Sequence, residues 1–416
     1  MACTNDEPGG CCATGVEQLI SFSNTTAFTQ SGLKTGAGVT TQGLYHYPAS
    51  ITNTTTTTEI AQFAANANFA TTSTAGVINN FSGRQQMVFF IGWATDWSPT
   101  SALLQHAWIT WVTRGLYAGY RRVNLNTQID DMFLESDIYS PAGTTFRISP
   151  GDLTAHASWT SSINGKMNTG SSYFIEIGHN GNGNVEASND INDATCSPGP
   201  IEYSGQIDTP LEFQKPLGSG TNLWPATPTT YPWSTACVNL DSLKTYFATA
   251  SNRDKFAHIS HTFTHEEVNN ATYSDVYKEI SFNQAWLKQV TISAGNKFTA
   301  NGLIPPAITG LHNGDAISAW VALGLVHAVG DNTRPVLRNQ QNDMWPYLTT
   351  MAANGYDNFT VLPRWATRIY YNCDLPNCTV AEWVATSAGT NDYNALLATE
   401  KTDTMRHLFG LYHDGK

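Results

Sequence analysis

The sequence predicts an α/β fold with parallel strands, preceded over residues 1–83 by an irregular β-rich segment. Three observations carry this expectation. Met87–Trp93 and Val123–Ile129 are short apolar runs of the buried-strand type. Between them Ser98-Pro99 opens a helix, with Leu104, Trp108, Trp111 and Gly115 at helical spacing. Strand, helix, strand in that order is a βαβ unit, whose strands are parallel. Residues 84–416 are accordingly expected to form one α/β unit.

The first 83 residues lack periodicity and are rich in Thr, Gly and Asn, with a threonine tract at Thr54–Thr58. Threonine suits half-buried strands, and Gly and Asn supply turns. The segment reads as irregular β-structure or the end of an upstream β-rich module.

The chain has 416 residues, enough for one large or two smaller cores. Hydrophobic residues make up 41%, which excludes a disordered chain, while only 13% are charged. The net charge of −12, with no Lys/Arg run, argues against nucleic-acid binding. Such a surface can attract a cationic polymer, but keeping the protein soluble is its commoner use. No run of about 18 apolar residues exists, so no membrane span is expected.

The seven cysteines are Cys3, Cys11, Cys12, Cys196, Cys237, Cys373 and Cys378, without a paired CxxC knuckle. Cys373 with Cys378 can close a small loop, and Cys196 with Cys237 a longer one. Glycosylation acceptors occur at Asn24, Asn53, Asn80, Asn270, Asn358 and Asn377. Together these features point to a secreted or cell-wall protein. The start Met1–Asp6 is not a signal peptide, so a piece of a longer precursor or an incomplete gene model is expected, with a cytosolic protein the alternative.

The candidate chemistry lies in two places. Asp130-Asp131 closes the second predicted strand, at the carboxyl end where ligands bind in parallel-sheet folds. Taken alone, such a pair is usually a turn or helix cap. Like charges side by side do favour a compensating cation. His261 and His265 follow a strand-like stretch and are four apart, the spacing that places two side chains on one helix face. Imidazole and carboxylate together suit a zinc-type ion, with three protein ligands enough for a catalytic site. His258 is an ambiguous third histidine, commonly a core residue. A helix is expected after Asn269, capped by Thr272 with Asp275 in reciprocal partnership, and with Val276, Ile280, Asn283, Leu287 and Val290 facing inward.

Between the two places the chain is less regular. Gly178–Asn184 reads as a turn-rich loop, with His179 a loop residue. Trp224, Tyr231 and Trp233 either stack on sugar rings or, more commonly, anchor a long loop.

These motifs carry a resemblance. Gln128-Ile129-Asp130-Asp131 resembles the first motif of NodB-type polysaccharide deacetylases, and His261-Thr262-Phe263-Thr264-His265 their second. The stretches Ile304–Asn313 and Leu362–Trp365 extend the similarity to the catalytic part of fungal galactosaminogalactan deacetylases. The resemblance implies a distorted (β/α) barrel with a large insertion between the motifs and a single metal ion, usually Zn2+. It makes Asp131, His261 and His265 the metal ligands, and Asp130 the base for the attacking water. It places Ile304–Ala307 at the site rim and makes Asn313, Arg364 and Trp365 candidates for substrate contact.

Departures from the pattern are equally visible. The family's Arg-x-Pro-Tyr segment has no Arg or Tyr here, and its Asp-x-x-Asp-Trp motif is not evident. For the late Leu-x-x-His general acid the C-terminus offers His407 and His413, with Thr404 and Gly410 in the leucine positions and His413 the candidate kept, so the barrel is expected to be incomplete at its C-terminus.

The implied activity is removal of N-acetyl groups from GalNAc residues of an exopolysaccharide by a secreted, monomeric enzyme. The alternatives are a non-catalytic carbohydrate-binding barrel and a deacetylase of chitin-like glycans.

Overall fold

The computed structural model describes residues 17–67, 69–116, 126–202, 209–368 and 370–413, with side chains described to Thr404. The N-terminal cysteines Cys3, Cys11 and Cys12 and the His413 side chain lie outside the described residues. The chain forms two compact units, Met1–Asn124 with Leu397–Lys416, and Leu125–Leu396.

The first unit contains an antiparallel sheet of β1 (Ile20–Phe22), β2 (Thr57–Phe63), β3 (Ser73–Phe81) and β4 (Arg84–Phe89), in that order. The turn between β3 and β4 is two residues long, Ser82 and Gly83, both at positive φ (52° and 88°). That is the primed turn whose twist suits a hairpin. Helix α1 (Pro99–Val112) starts where the sequence placed it, with the Ser98 hydroxyl accepting from Ser101 N. Its Leu104, Ala107 and Trp111 join the core of this unit with Ile20, Phe28, Ile60 and Phe63.

The boundary near residue 84 and the βαβ reading are thereby corrected. The run Met87–Trp93 supplies an antiparallel strand paired to its own neighbour, and the division falls after Asn124. An apolar run of this length reads alike in either kind of sheet. A two-residue closure to β3 is entropically cheaper than a crossover.

The second unit is a seven-stranded, mostly parallel sheet curled into a half-barrel. Its strands in chain order begin with β5 (Thr127–Ile129); a two-stranded hairpin, β6 (Ser136–Asp137) and β7 (Thr145–Phe146), stands apart from the sheet. Then come β8 (Ile175–His179), β9 (Ala257–Ser260), β10 (Phe298–Leu303), β11 (His327–Val329), β12 (Tyr347–Leu348) and β13 (Thr360–Leu362). The order across the sheet is β12-β13-β11-β10-β9-β8-β5, with only β12 antiparallel to its neighbour. Helices α2 (Pro150–Lys166), α3 (Gly181–Ile191), α4 (Thr235–Val238), α5 (Ser242–Ala248), α6 (Ala250–Arg253), α7 (Tyr273–Gln289), α8 (Gly314–Ala322), α9 (Met351–Asn354) and α10 (Pro376–Ser387) belong to this unit. Among the described residues no helix is long and apolar enough to cross a membrane.

Gly178–Asn184 is not a loop. His179 ends β8, and Gly181 opens α3 close against the Phe263 and Trp286 rings, where no Cβ fits. Helix α7 meets its expectation closely: Thr272 caps it through Asp275 N, and Val276, Ile280, Asn283, Leu287 and Val290 are all buried. The reciprocal half of the cap is absent, because Asp275 Oδ2 accepts instead from Leu223 N (2.6 Å). Disulfides join Cys196 to Cys237 and Cys373 to Cys378.

His179 and His258 are fully buried side by side. His258 Nε2 donates to the Arg253 carbonyl (2.9 Å), so its Nδ1 is the acceptor for His179 Nε2 (2.9 Å). This chain of bonds requires a neutral His258, and burial keeps both rings uncharged. Burial carries the His258 pKa down to about 4. The unfolded chain therefore binds more protons between pH 6.5 and 4, and stability present in full above pH 6.5 is lost as pH falls through that window. The full shift corresponds to about 3 kcal/mol. Denaturant midpoints measured across this range should fall with acid, and His258→Gln should give a shallower slope.

Candidate metal centre

The parallel register places the functional side chains together. Strands β5, β8 and β9 run side by side, so the residues just beyond β5 and β9 emerge at the same end of the sheet. Asp130 and Asp131 follow β5, and His261 follows β9. Asp131 Oδ1 lies 3.0 Å from His261 Nε2 and 3.2 Å from His265 Nε2. Asp131, His261 and His265 offer ligand atoms all within 4.8 Å of one another, the one such group among the described residues. Donors about 2.0–2.1 Å from a tetrahedral zinc would stand roughly 3.3 Å apart. The donor set and its spacing therefore fit a divalent ion.

The two histidines do not share a helix turn. Residues 261–270 form a loop, and His265 is brought round by backbone bends at Thr262 (φ 65°) and His265 itself (φ 68°). Asp131 is also left-handed (φ 56°), as are Ala307 and Ile308 on the loop after β10. Non-glycine residues in this region cost of order 1–3 kcal/mol each and persist where surrounding bonds enforce them.

Those bonds come from the layer beneath. The Glu279 carboxylate of α7 accepts from Phe263 N (2.8 Å), Thr264 N (2.9 Å) and the Thr264 hydroxyl. Asn180 donates to the His261 carbonyl, and Asn283 donates to the carbonyl of His179 (2.9 Å) and to Ser260 Oγ (2.8 Å). Phe263 is wedged among Trp233, Phe282, Tyr231 and Trp224, with ring centroids 5.3–6.4 Å away. Trp224 and Trp233 are thus loop anchors, both buried.

His261 Nδ1 donates to the Ile304 carbonyl (2.8 Å), which fixes the tautomer with Nε2 free to ligate. Glu279→Gln keeps the shape but removes the charge that holds two amides. It is expected to weaken zinc binding about 10- to 100-fold, as loss of a supporting partner does. Titration with a competing chelator would measure this.

Electrostatics follow the same geometry. Burial alone would raise the Asp131 pKa, but the His261 hydrogen bond and the nearby His261, His265 and Arg364 charges hold it below the usual value. Burial depresses His261, yet the Asp131 bond and the charges of both aspartates outweigh it and raise its pKa. His265, desolvated and facing His261, falls to about 4. Asp130 points to a different partner: Arg364 Nη2, just past β13, donates to its Oδ2 at 2.8 Å. Trp365 is half-buried beside it in the chain.

Asn313 does not serve as a substrate contact. It is fully buried as the N-cap of α8, accepting from Asp315 N and Ala316 N and donating to the carbonyls of Val268 (2.9 Å) and Ala271 (2.8 Å). Its amide has no capacity left. The signal was in the sequence, since Asn-Gly-Asp before an apolar run is a cap pattern. Glu279 and Asn180 as supports of this loop, and Asn283 as a tie between the ends of β8 and β9, were missed because nothing in a single sequence links them to their partners.

A curled parallel sheet with an Asp/His/His group and a second carboxylate at its strand ends defines a polysaccharide-deacetylase type of barrel. The chain belongs to the Agd3 deacetylase family, whose deacetylase-domain model matches residues 125–415; the Agd3 CBM87 model matches residues 1–111. The chain is also similar to a crystal structure of Agd3, described as a novel carbohydrate deacetylase, with 66% identity and a TM-score of 0.87. That match covers 98% of this chain and 62% of the other, so the chain spans less than two thirds of its relative. No curated protein matches the chain.

Proposed function

We propose that this chain is a secreted, metal-dependent hydrolase that removes acetyl groups from N-acetylgalactosamine residues of galactosaminogalactan, leaving a free amine and acetate. The observation that carries the reading is the Asp131/His261/His265 group with Asp130 beside it, on a chain 66% identical to a carbohydrate deacetylase. A divalent cation held there, zinc by the donor set, would polarise the amide carbonyl and make water acidic enough to attack near neutral pH.

The chain's own groups do the rest. Asp130, oriented by Arg364, takes the proton of the attacking water. The C–N bond then breaks, acetate departs and the amine must gain a proton. His413 stays the candidate donor from the sequence, and Trp365 the candidate sugar contact. The Cys196–Cys237 and Cys373–Cys378 bridges favour an oxidising compartment, hence secretion. A monomer is the simplest working state.

The test is acetate release by the zinc-loaded chain from galactosaminogalactan and from chitin oligomers, before and after chelation. Release from the first, lost on chelation and restored by zinc, is expected. Release only from chitin oligomers would reassign the substrate. Binding to polymer without acetate from either would leave a carbohydrate-binding protein.

A further inference from the structure

The inserted segment Thr209–Gly220 is fastened across the loop that follows β10. Lys215 Nζ pairs with Asp315 Oδ2 (2.5 Å), and Lys215 N donates to the His312 carbonyl (3.2 Å). Glu212 Oε2 lies 2.8 Å from His312 Nε2, close but off hydrogen-bond alignment, and its Oε1 accepts from Arg334 Nε at 2.9 Å.

Arg334 is buried and uses every edge of its guanidinium. Besides Glu212, its Nη1 donates to the Ile308 carbonyl (2.8 Å) and its Nη2 to the Leu211 carbonyl (2.6 Å). Ile308 is the residue that most needs holding. It and Ala307 form a left-handed pair (φ 53° and 48°), and a β-branched side chain at positive φ is a genuine outlier. Four residues before Ile308, the Ile304 carbonyl accepts the hydrogen bond of His261 Nδ1.

We propose that Arg334 is a positioning residue for the reaction, its fork locking the Ala307–Ile308 turn at the site rim while Glu212 fixes the guanidinium. The proposal rests on the deacetylase reading for its effect on rate. A lysine keeps the charge but offers a point donor in place of three directed N–H groups.

The experiment compares the zinc-loaded chain with Arg334→Lys and Glu212→Gln. It reads kcat and KM separately, bound zinc, melting temperature, and amide exchange in the peptide spanning residues 304–310. For Arg334→Lys a fall in kcat of about tenfold is expected, with KM within about twofold and zinc retained. Exchange at Ile308–Gly310 should quicken without a matching loss of melting temperature. Glu212→Gln should move the same readouts less. Unchanged exchange in Arg334→Lys, or a fall in kcat that merely tracks lost zinc or lost fold, would overturn the assignment. If the parent chain releases no acetate, the deacetylase reading fails separately, and exchange still decides whether Arg334 holds the turn.

Discussion

Asp131→Asn is expected to empty the metal centre. Asparagine tolerates the left-handed backbone that Asp131 adopts (φ 56°), so the substitution removes the charge without adding strain. The neutral amide leaves two imidazoles, too few for a zinc site of the catalytic kind. Bound zinc after dialysis should fall below about a tenth of an equivalent, and the rate about 10³-fold or more, roughly 4 kcal/mol in barrier. Elemental analysis and acetate release measure the two effects. A variant that keeps a full equivalent of zinc at unchanged affinity would dismiss Asp131 as a ligand.

Asp130→Asn should separate chemistry from metal binding. Asp130 bonds Arg364 and is not one of the three residues of the ligand group, so zinc should stay bound. Loss of the proton acceptor should lower kcat by about 10²- to 10⁴-fold. The Asp130–Arg364 pair is only partly buried, and breaking it should change stability by about 1 kcal/mol or less. Equal loss of zinc in both variants would show that the two aspartates act as one ligand unit, and the assignment of a base would have to move.

Much of the second unit could be read from the chain itself. The inner face of α7 follows from the spacing of Val276, Ile280, Asn283 and Leu287, because a buried helix face has a strict period. The Asp131/His261/His265 candidates could be named because few residue types bind metal, and two of them recur at short spacing. Tertiary closeness was not visible. Nothing local distinguishes a helix turn from the bent loop of His261–His265, since each puts residues four apart together. Nor did Met87–Phe90 reveal which sheet it joins, because burial and strand propensity are alike in both. Asn313 misled for the opposite reason, a residue type common in sugar recognition at a position where a helix needed capping.

The aromatic insertion under Phe263 has a consequence for how such a centre tolerates change. Between the acid pair and the imidazole pair lie 129 residues, counting Met132 to Ser260, and Trp224, Tyr231 and Trp233 from that span form the floor on which the ligand loop rests. The span is a foundation, not slack between two anchors. Shortening it to resemble a leaner barrel would leave Asp131, His261 and His265 in the gene and still let the loop that brings them together sag.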